Sequence, residues 1–239
     1  MARTTPIHHV GTFLIFAAAV LLLITTITAP VVKDFAMLKV TLTNSSAARH
    51  SSVTFGTFGH CVLDVAPAAT DQDSCSGRSI GYSPMKIMED IDHADYNTAS
   101  VNTADALTRV QILHPIACAI AFIAFFFSIG AGICGSVLAS MTAVLAWIIT
   151  LVVLITDFVS WGIVKDHVNK DGSGSHAAFG TGMWTELGAM VALFFGAFLV
   201  FCSCCGARRR SNRGMNGSVG EKPAYAGTGR RRRFWQRKY

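Results

Sequence analysis

The sequence predicts an all-α transmembrane four-helix bundle carrying a small, disulfide-pinned extracellular β-sheet. Of its 239 residues, 51% are hydrophobic and only 14% charged, against roughly 25% charged in a soluble domain. The apolar residues gather into four blocks of about 20, the length a helix needs to cross a hydrocarbon core of about 30 Å. A soluble core would scatter them at helical or strand period instead. Lys and Arg collect at one end. From residue 207 onward there are eleven of them and a single acid, Glu221, so a mildly acidic membrane body carries a strongly basic tail.

The first block, residues 10–29, contains no charge and follows a short N-terminus of residues 1–9. Arg3 before it and Thr28-Ala29 behind it imitate a signal peptide. However, the block exceeds the roughly 7–15 residues of a signal h-region, and Pro30 would follow the scissile bond. The expectation is an uncleaved first span. The second, residues 112–135, opens through His114-Pro115, a tolerated place for proline because the first helical turn has no acceptor for its missing N–H. The third, residues 137–161, follows at once. Only Cys134-Gly135-Ser136 is left for a turn, so these helices are expected to be antiparallel neighbours. The fourth, residues 183–205, stops before Arg208-Arg209-Arg210. Basic residues mark the cytoplasmic side, which predicts a cytoplasmic C-terminus and, four spans back, a cytoplasmic N-terminus. Residues 30–111 and 162–182 are then extracellular, and residues 206–239 form a basic cytoplasmic tail.

The large loop holds two of the seven cysteines, Cys61 and Cys75. An isolated pair in an oxidising compartment favours a disulfide over a metal site, which needs more ligands. Ser52–Phe55, Thr57-Phe58 and Ser79–Tyr82 read as strands, broken by Gly56, Gly59 and Gly81. Residues 67–77 are small and polar, hence a tip. Met85, Met88 and Ile91 recur at helical spacing, so a short amphipathic helix is expected there. Asn44-Ser45-Ser46 is a glycosylation sequon on the correct side; Asn216-Gly217-Ser218 also fits but lies in the tail.

Phe55-Gly56-Thr57-Phe58-Gly59-His60-Cys61, followed by Cys75-Ser76-Gly77 and Ile80-Gly81-Tyr82, resembles the first-loop signature of the fungal PalI and eisosome-type tetraspan family. Thr28-Ala29-Pro30, Leu107-Thr108-Arg109 running into His114-Pro115, and Phe179-Gly180-Thr181-Gly182-Met183-Trp184 resemble the family's pattern at the ends of its spans. The similarity covers residues 10–205 in order. It implies a plasma-membrane protein without enzymatic activity or cofactor that assists ambient-pH signalling or organises membrane domains. Four spans beneath a disulfide-bound sheet are also a claudin-like architecture.

Two acids fall within the spans: Asp157 in the outer part of the third and Glu186 just inside the fourth. Intramembrane acids point by default to ion passage or proton relay. The plainer alternative is that both lie near the outer interface, satisfied by water, Thr156, Thr185 or each other's protonated form. His50, His60, His93, His167 and His176 are expected outside, with His114 at the boundary. Scattered histidines of this kind are ordinarily solvated, and His60, beside Cys61, is the best-placed pH sensor. No catalytic constellation, phosphate loop or metal-ligand spacing is visible, so neither a catalytic nor a metal site is expected. Cys118 and Cys134 read as small packing residues.

Cys202, Cys204 and Cys205 sit at the cytoplasmic end of the fourth span, where S-palmitoylation is expected. Three crowded cysteines lack the fourth ligand of a zinc site. Arg208, Arg209 and Arg210, and beyond a Gly- and Ser-rich linker Arg230, Arg231, Arg232 and Arg233 with Phe234-Trp235, suit anionic inner-leaflet lipid. A tethered tail meets phospholipid before RNA, so nucleic acid is not an expected partner. The expected partners are the bilayer and a membrane protein or a second copy of the chain. Three classes of function follow: a scaffold or accessory subunit, a channel or transporter using Asp157 and Glu186, and an adhesion or wall-contact protein.

Overall fold

A computed structural model describes residues 6–42, 50–64, 73–92, 96–130 and 133–216, with side chains of the last helix described through Ser203. Asn44 and Arg230–Arg233 lie outside the described residues, as do the side chains of Cys204, Cys205 and Arg208–Arg210. In chain order the elements are α1 (Pro6–Thr26), β1 (Leu38–Thr41), β2 (His50–Phe55), β3 (His60–Asp64), β4 (Ser74–Cys75), α2 (Pro84–Asp92), α3 (Thr98–Val110), α4 (Leu113–Ile129), α5 (Ile133–Val168), β5 (His176–Phe179) and α6 (Thr181–Asn216).

Four stretches are long and apolar enough to span a bilayer: Pro6–Thr26, Thr98–Ile129, Gly135–Val168 and Thr181–Ser203. The protein is a multi-pass membrane tetraspan. Its helices close a ring in which α1 packs on α4 and α6, and α5 on the same two. The interior is built from small residues, among them Ala18, Ala19, Ala117, Ala121, Ala146 and Ala189 around Leu22 and Leu193. Phe13, Phe126, Met141, Phe195, Phe198 and Phe201 face outward. Small residues inside let helix backbones approach in lipid, where dispersion and packing replace the hydrophobic effect between helices.

The helix ends differ from the expected spans. Helix α4 already ends at Ile129, with Gly130 as its C-cap, and α5 begins at Ile133, so Cys134–Ser136, expected as the turn, lie within α5. Cys134 therefore belongs to α5. Helices α5 and α6 each run 36 residues, about 54 Å at 1.5 Å per residue, well beyond the membrane core. At its C-terminal end α5 overshoots into the sheet domain, burying Trp161, Val164 and Val168 there.

The sheet has the order β4-β3-β2-β1-β5, antiparallel throughout. It unites both loops at that end of the bundle, because β5 comes from the segment between α5 and α6 and pairs with β1 along Leu38↔Phe179 to Thr41↔His176. Neither β1 nor β5 was legible as a strand, though in β1 Leu38 and Val40 are buried while Lys39 and Thr41 are exposed. Ser79–Tyr82, expected as a strand, is irregular. Gly81 sits at φ 71°, in the left-handed region that breaks an extended run. Helix α2 forms where the Met85, Met88 and Ile91 spacing indicated and buries both methionines. Helix α3, capped by the Asn97 side chain accepting from the Ala99 N–H at 3.0 Å, carries the second span out of the membrane.

Candidate functional site

A polar layer separates the apolar core under the sheet from the Ala-rich core of the bundle, and the chain's own local chemistry builds it. Pro115 has no N–H to give to the carbonyl of Gln111 four residues back. That oxygen instead accepts from the His114 backbone N–H at 3.0 Å and lies 3.1 Å from His114 Nδ1. A carbonyl only accepts, so Nδ1 carries the hydrogen and Nε2 faces the bundle interior. The Gln111 amide, turned so that both ends are satisfied, donates to Thr57 O at 2.7 Å and accepts from Trp161 Nε1 at 3.3 Å. The Thr57 N–H donates to Thr28 Oγ1 at 2.9 Å, and the Thr57 hydroxyl donates to Thr25 O at 2.9 Å. The end of α1, the β2–β3 turn, the start of α4 and the upper part of α5 are thus joined by one buried network.

Asp157 and Glu186 point into this layer. His114 Nε2 lies 3.2 Å from Asp157 Oδ2 and 3.5 Å from Glu186 Oε1, with all three side chains at most 1% exposed. Neither contact has hydrogen-bond geometry. Among the described residues, His114 Nε2, both Asp157 oxygens and both Glu186 oxygens are buried without a hydrogen-bond partner, as is Ser160 Oγ one turn beyond Asp157. One potential ligand atom from each of the three residues falls within 4.8 Å of the others.

Both acids are almost fully buried, at most 1% exposed. Thr156 and Thr185 are not their partners, because each hydroxyl bonds its own helix, at Val153 O (2.7 Å) and Gly182 O (2.8 Å). His114, expected at the membrane boundary, is fully buried at the centre of the site. A potential ligand set that the linear spacing does not show is thus assembled from three helices. Its one local trace in the sequence is a histidine before proline at the head of an apolar run.

Above the layer, the Tyr82 hydroxyl donates to Gly56 O at 2.7 Å. Its acidity is strongly suppressed, first by burial and then by the Asp157 carboxylate, against the opposing bond to Gly56. His60 meets Phe55 and Tyr82 at a tilt of 33°, with centroids 6.0 and 6.2 Å away. Burial lowers its pKa. Cys61 and Cys75 are disulfide-bonded, with sulfurs 2.04 Å apart, and are direct partners across β3 and β4. Toward the other end of the bundle Cys118 is buried, with its thiol 3.7 Å from Ala19 O, and Cys202 is exposed with a free thiol.

No curated protein matches the chain at a significant level. The sequence profile of the SUR7/PalI family matches residues 7–205, a stretch that takes in all four spans, the sheet and the His114–Asp157–Glu186 cluster. With the disulfide-closed sheet standing on a four-helix membrane bundle, that match places this chain in the SUR7/PalI family.

Proposed function

We propose that this tetraspan is a non-enzymatic scaffold or accessory subunit of the plasma membrane, with the sheet outside and both termini in the cytoplasm. In this role it organises membrane domains or assists ambient-pH signalling. The observation that carries the reading is the union of both loops in one sheet, bolted to the helix ends through the Gln111–Thr57–Trp161 network. That construction suits a fixed recognition surface for a membrane-protein partner or a second copy of the chain. Asp157 and Glu186 converge on His114 in a layer closed to solvent, which favours a static assembly over ion passage. On the inner side, Cys202, Cys204 and Cys205 would carry acyl groups, and the two arginine clusters would hold anionic lipid. Asn44 would carry a glycan on the outer face.

Co-purification after gentle solubilisation tests the reading. A stoichiometric membrane-protein partner or a defined oligomer is the expected result, together with dispersal of membrane patches when the protein is deleted. A monomer that conducts ions in reconstituted bilayers, with patch pattern unaltered by deletion, would overturn it.

A further inference from the structure

We propose that His114, Asp157 and Glu186 bind a divalent transition-metal cation of the Zn2+ type, which ties α4, α5 and α6 together beneath the sheet. The donor set, its spacing and its charge point the same way.

Hydrogen placement comes first. His114 Nδ1 is committed to the Gln111 carbonyl, so the neutral ring presents a lone pair at Nε2. A backbone carbonyl on the far nitrogen is the usual way a metal-binding histidine is oriented and its basicity raised. The ring lone pair then faces Asp157 Oδ2 and Glu186 Oε1, acceptor against acceptors, with Asp157 Oδ1 and Glu186 Oε2 buried beside them. None of the five has a hydrogen-bond partner among the described residues. Buried polar atoms ordinarily find one, and a cation satisfies all three residues at once.

The spacing fits. Zn2+ holds imidazole nitrogen and carboxylate oxygen at about 2.0–2.2 Å in tetrahedral geometry, which separates neighbouring ligand atoms by roughly 3.3–3.6 Å. The separations from Nε2 are 3.2 Å to Asp157 Oδ2 and 3.5 Å to Glu186 Oε1. Both edges that run from Nε2 therefore already stand near tetrahedral length, the two acid oxygens lie within 4.8 Å of each other, and three protein ligands leave the fourth position to a small molecule such as water. Mixed imidazole and carboxylate donors suit Zn2+, Mn2+ or Fe2+ more than a hard-oxygen ion such as Ca2+.

Charge closes the case. Two carboxylates with a neutral histidine carry −2, and protonating the ring still leaves −1 in a layer inside a membrane protein, where an uncompensated charge is costly. One divalent cation brings the cluster to zero. The competing arrangement is a pair of protons, one on the ring and one shared by the acids.

The full chain, purified in detergent without a metal-affinity tag, separates the two. Elemental analysis of dialysed protein should find one transition-metal ion per chain. After stripping with chelator, Zn2+ should restore the thermal midpoint, and Co2+ should give the visible absorption of a tetrahedral centre. Glu186→Gln, which keeps the shape of the side chain, should lose the stoichiometric site and the Co2+ spectrum, while Ser160→Ala should keep both. The wild-type measurement decides the matter even if a variant misfolds. Folded wild-type protein holding no metal, and unmoved in thermal midpoint by Zn2+ or chelator, would overturn the proposal in favour of proton sharing.

Discussion

His60, beside Cys61 and so the best placed of the histidines to sense pH, has its ring against both Phe55 and Tyr82, with Nδ1 buried and unpartnered among the described residues. Burial lowers the pKa, so the folded state prefers the neutral ring. The unfolded chain then binds the proton more readily once pH drops below the ordinary histidine value of about 6.5. The stabilising difference is complete above that value and is lost as pH falls toward the folded pKa. Thermal midpoints of the wild type should therefore decline between about pH 7 and pH 5 more steeply than those of His60→Phe. Parallel slopes would show that His60 does not titrate against the fold. Cys61 and Cys75 were legible without any structure, because two lone cysteines in one outer loop have few alternatives. The role of His114 was not, because nothing in its neighbourhood names the helices that supply Asp157 and Glu186.

Helix pairing turns on side chains too small to stand out in an apolar run. A Cβ on Gly196 of α6 would come within 2.9 Å of Ile15 Cγ1 and 3.2 Å of the Gly11 carbonyl of α1; one on Gly11 would come within 2.9 Å of Val200 Cγ2. The two glycines face each other and set the closest approach of α1 and α6, the small-residue contact by which helices associate in lipid. Gly196→Leu should overpack this contact and cost about 1–3 kcal/mol, lowering the thermal midpoint, whereas Gly188→Leu, at a position where a Cβ would meet only Leu21 Cδ1 at 3.8 Å, should cost less. Equal effects would show that the Gly11–Gly196 approach does not limit the packing. Blocks of 20 apolar residues announce the helices, yet their ends moved. The long overshoot of α5 follows from Trp161, Val164 and Val168, which are as apolar as a membrane segment but pack under the sheet.

Charge is divided between the two ends of the molecule. Arg208–Arg210 and Arg230–Arg233 form two clusters about twenty residues apart in the sequence, the first on α6. If both clusters hold anionic lipid, as proposed, the second binds at raised effective concentration once the first is fixed by its span. Neutralising Arg230–Arg233 to Gln should release the purified tail from phosphatidylserine liposomes, and 1 M salt, where the Debye length is about 3 Å, should do the same to the wild type. Binding that persists in the neutralised tail would shift the working surface to the sheet. Acyl exchange should label Cys202, Cys204 and Cys205 in wild-type protein; undiminished labelling when all three are Ser would remove the acyl anchor from this scheme.

Solvent preference is a property of each residue, so the sequence by itself determined the four spans, the expected sidedness, the disulfide loop and the basic tail. Apolar length, the placement of Lys and Arg, and the isolation of two cysteines can be read without knowing any neighbour. The tertiary structure alone decided that β1 and β5 pair, Leu38 with Phe179 141 residues further along the chain, and that His114, Asp157 and Glu186 meet. Such contacts depend on the rotation and depth of each helix. Those are fixed by packing small faces such as Gly11 against Gly196 and by the carbonyl that Pro115 leaves free at Gln111, and neither leaves a periodic mark on the chain.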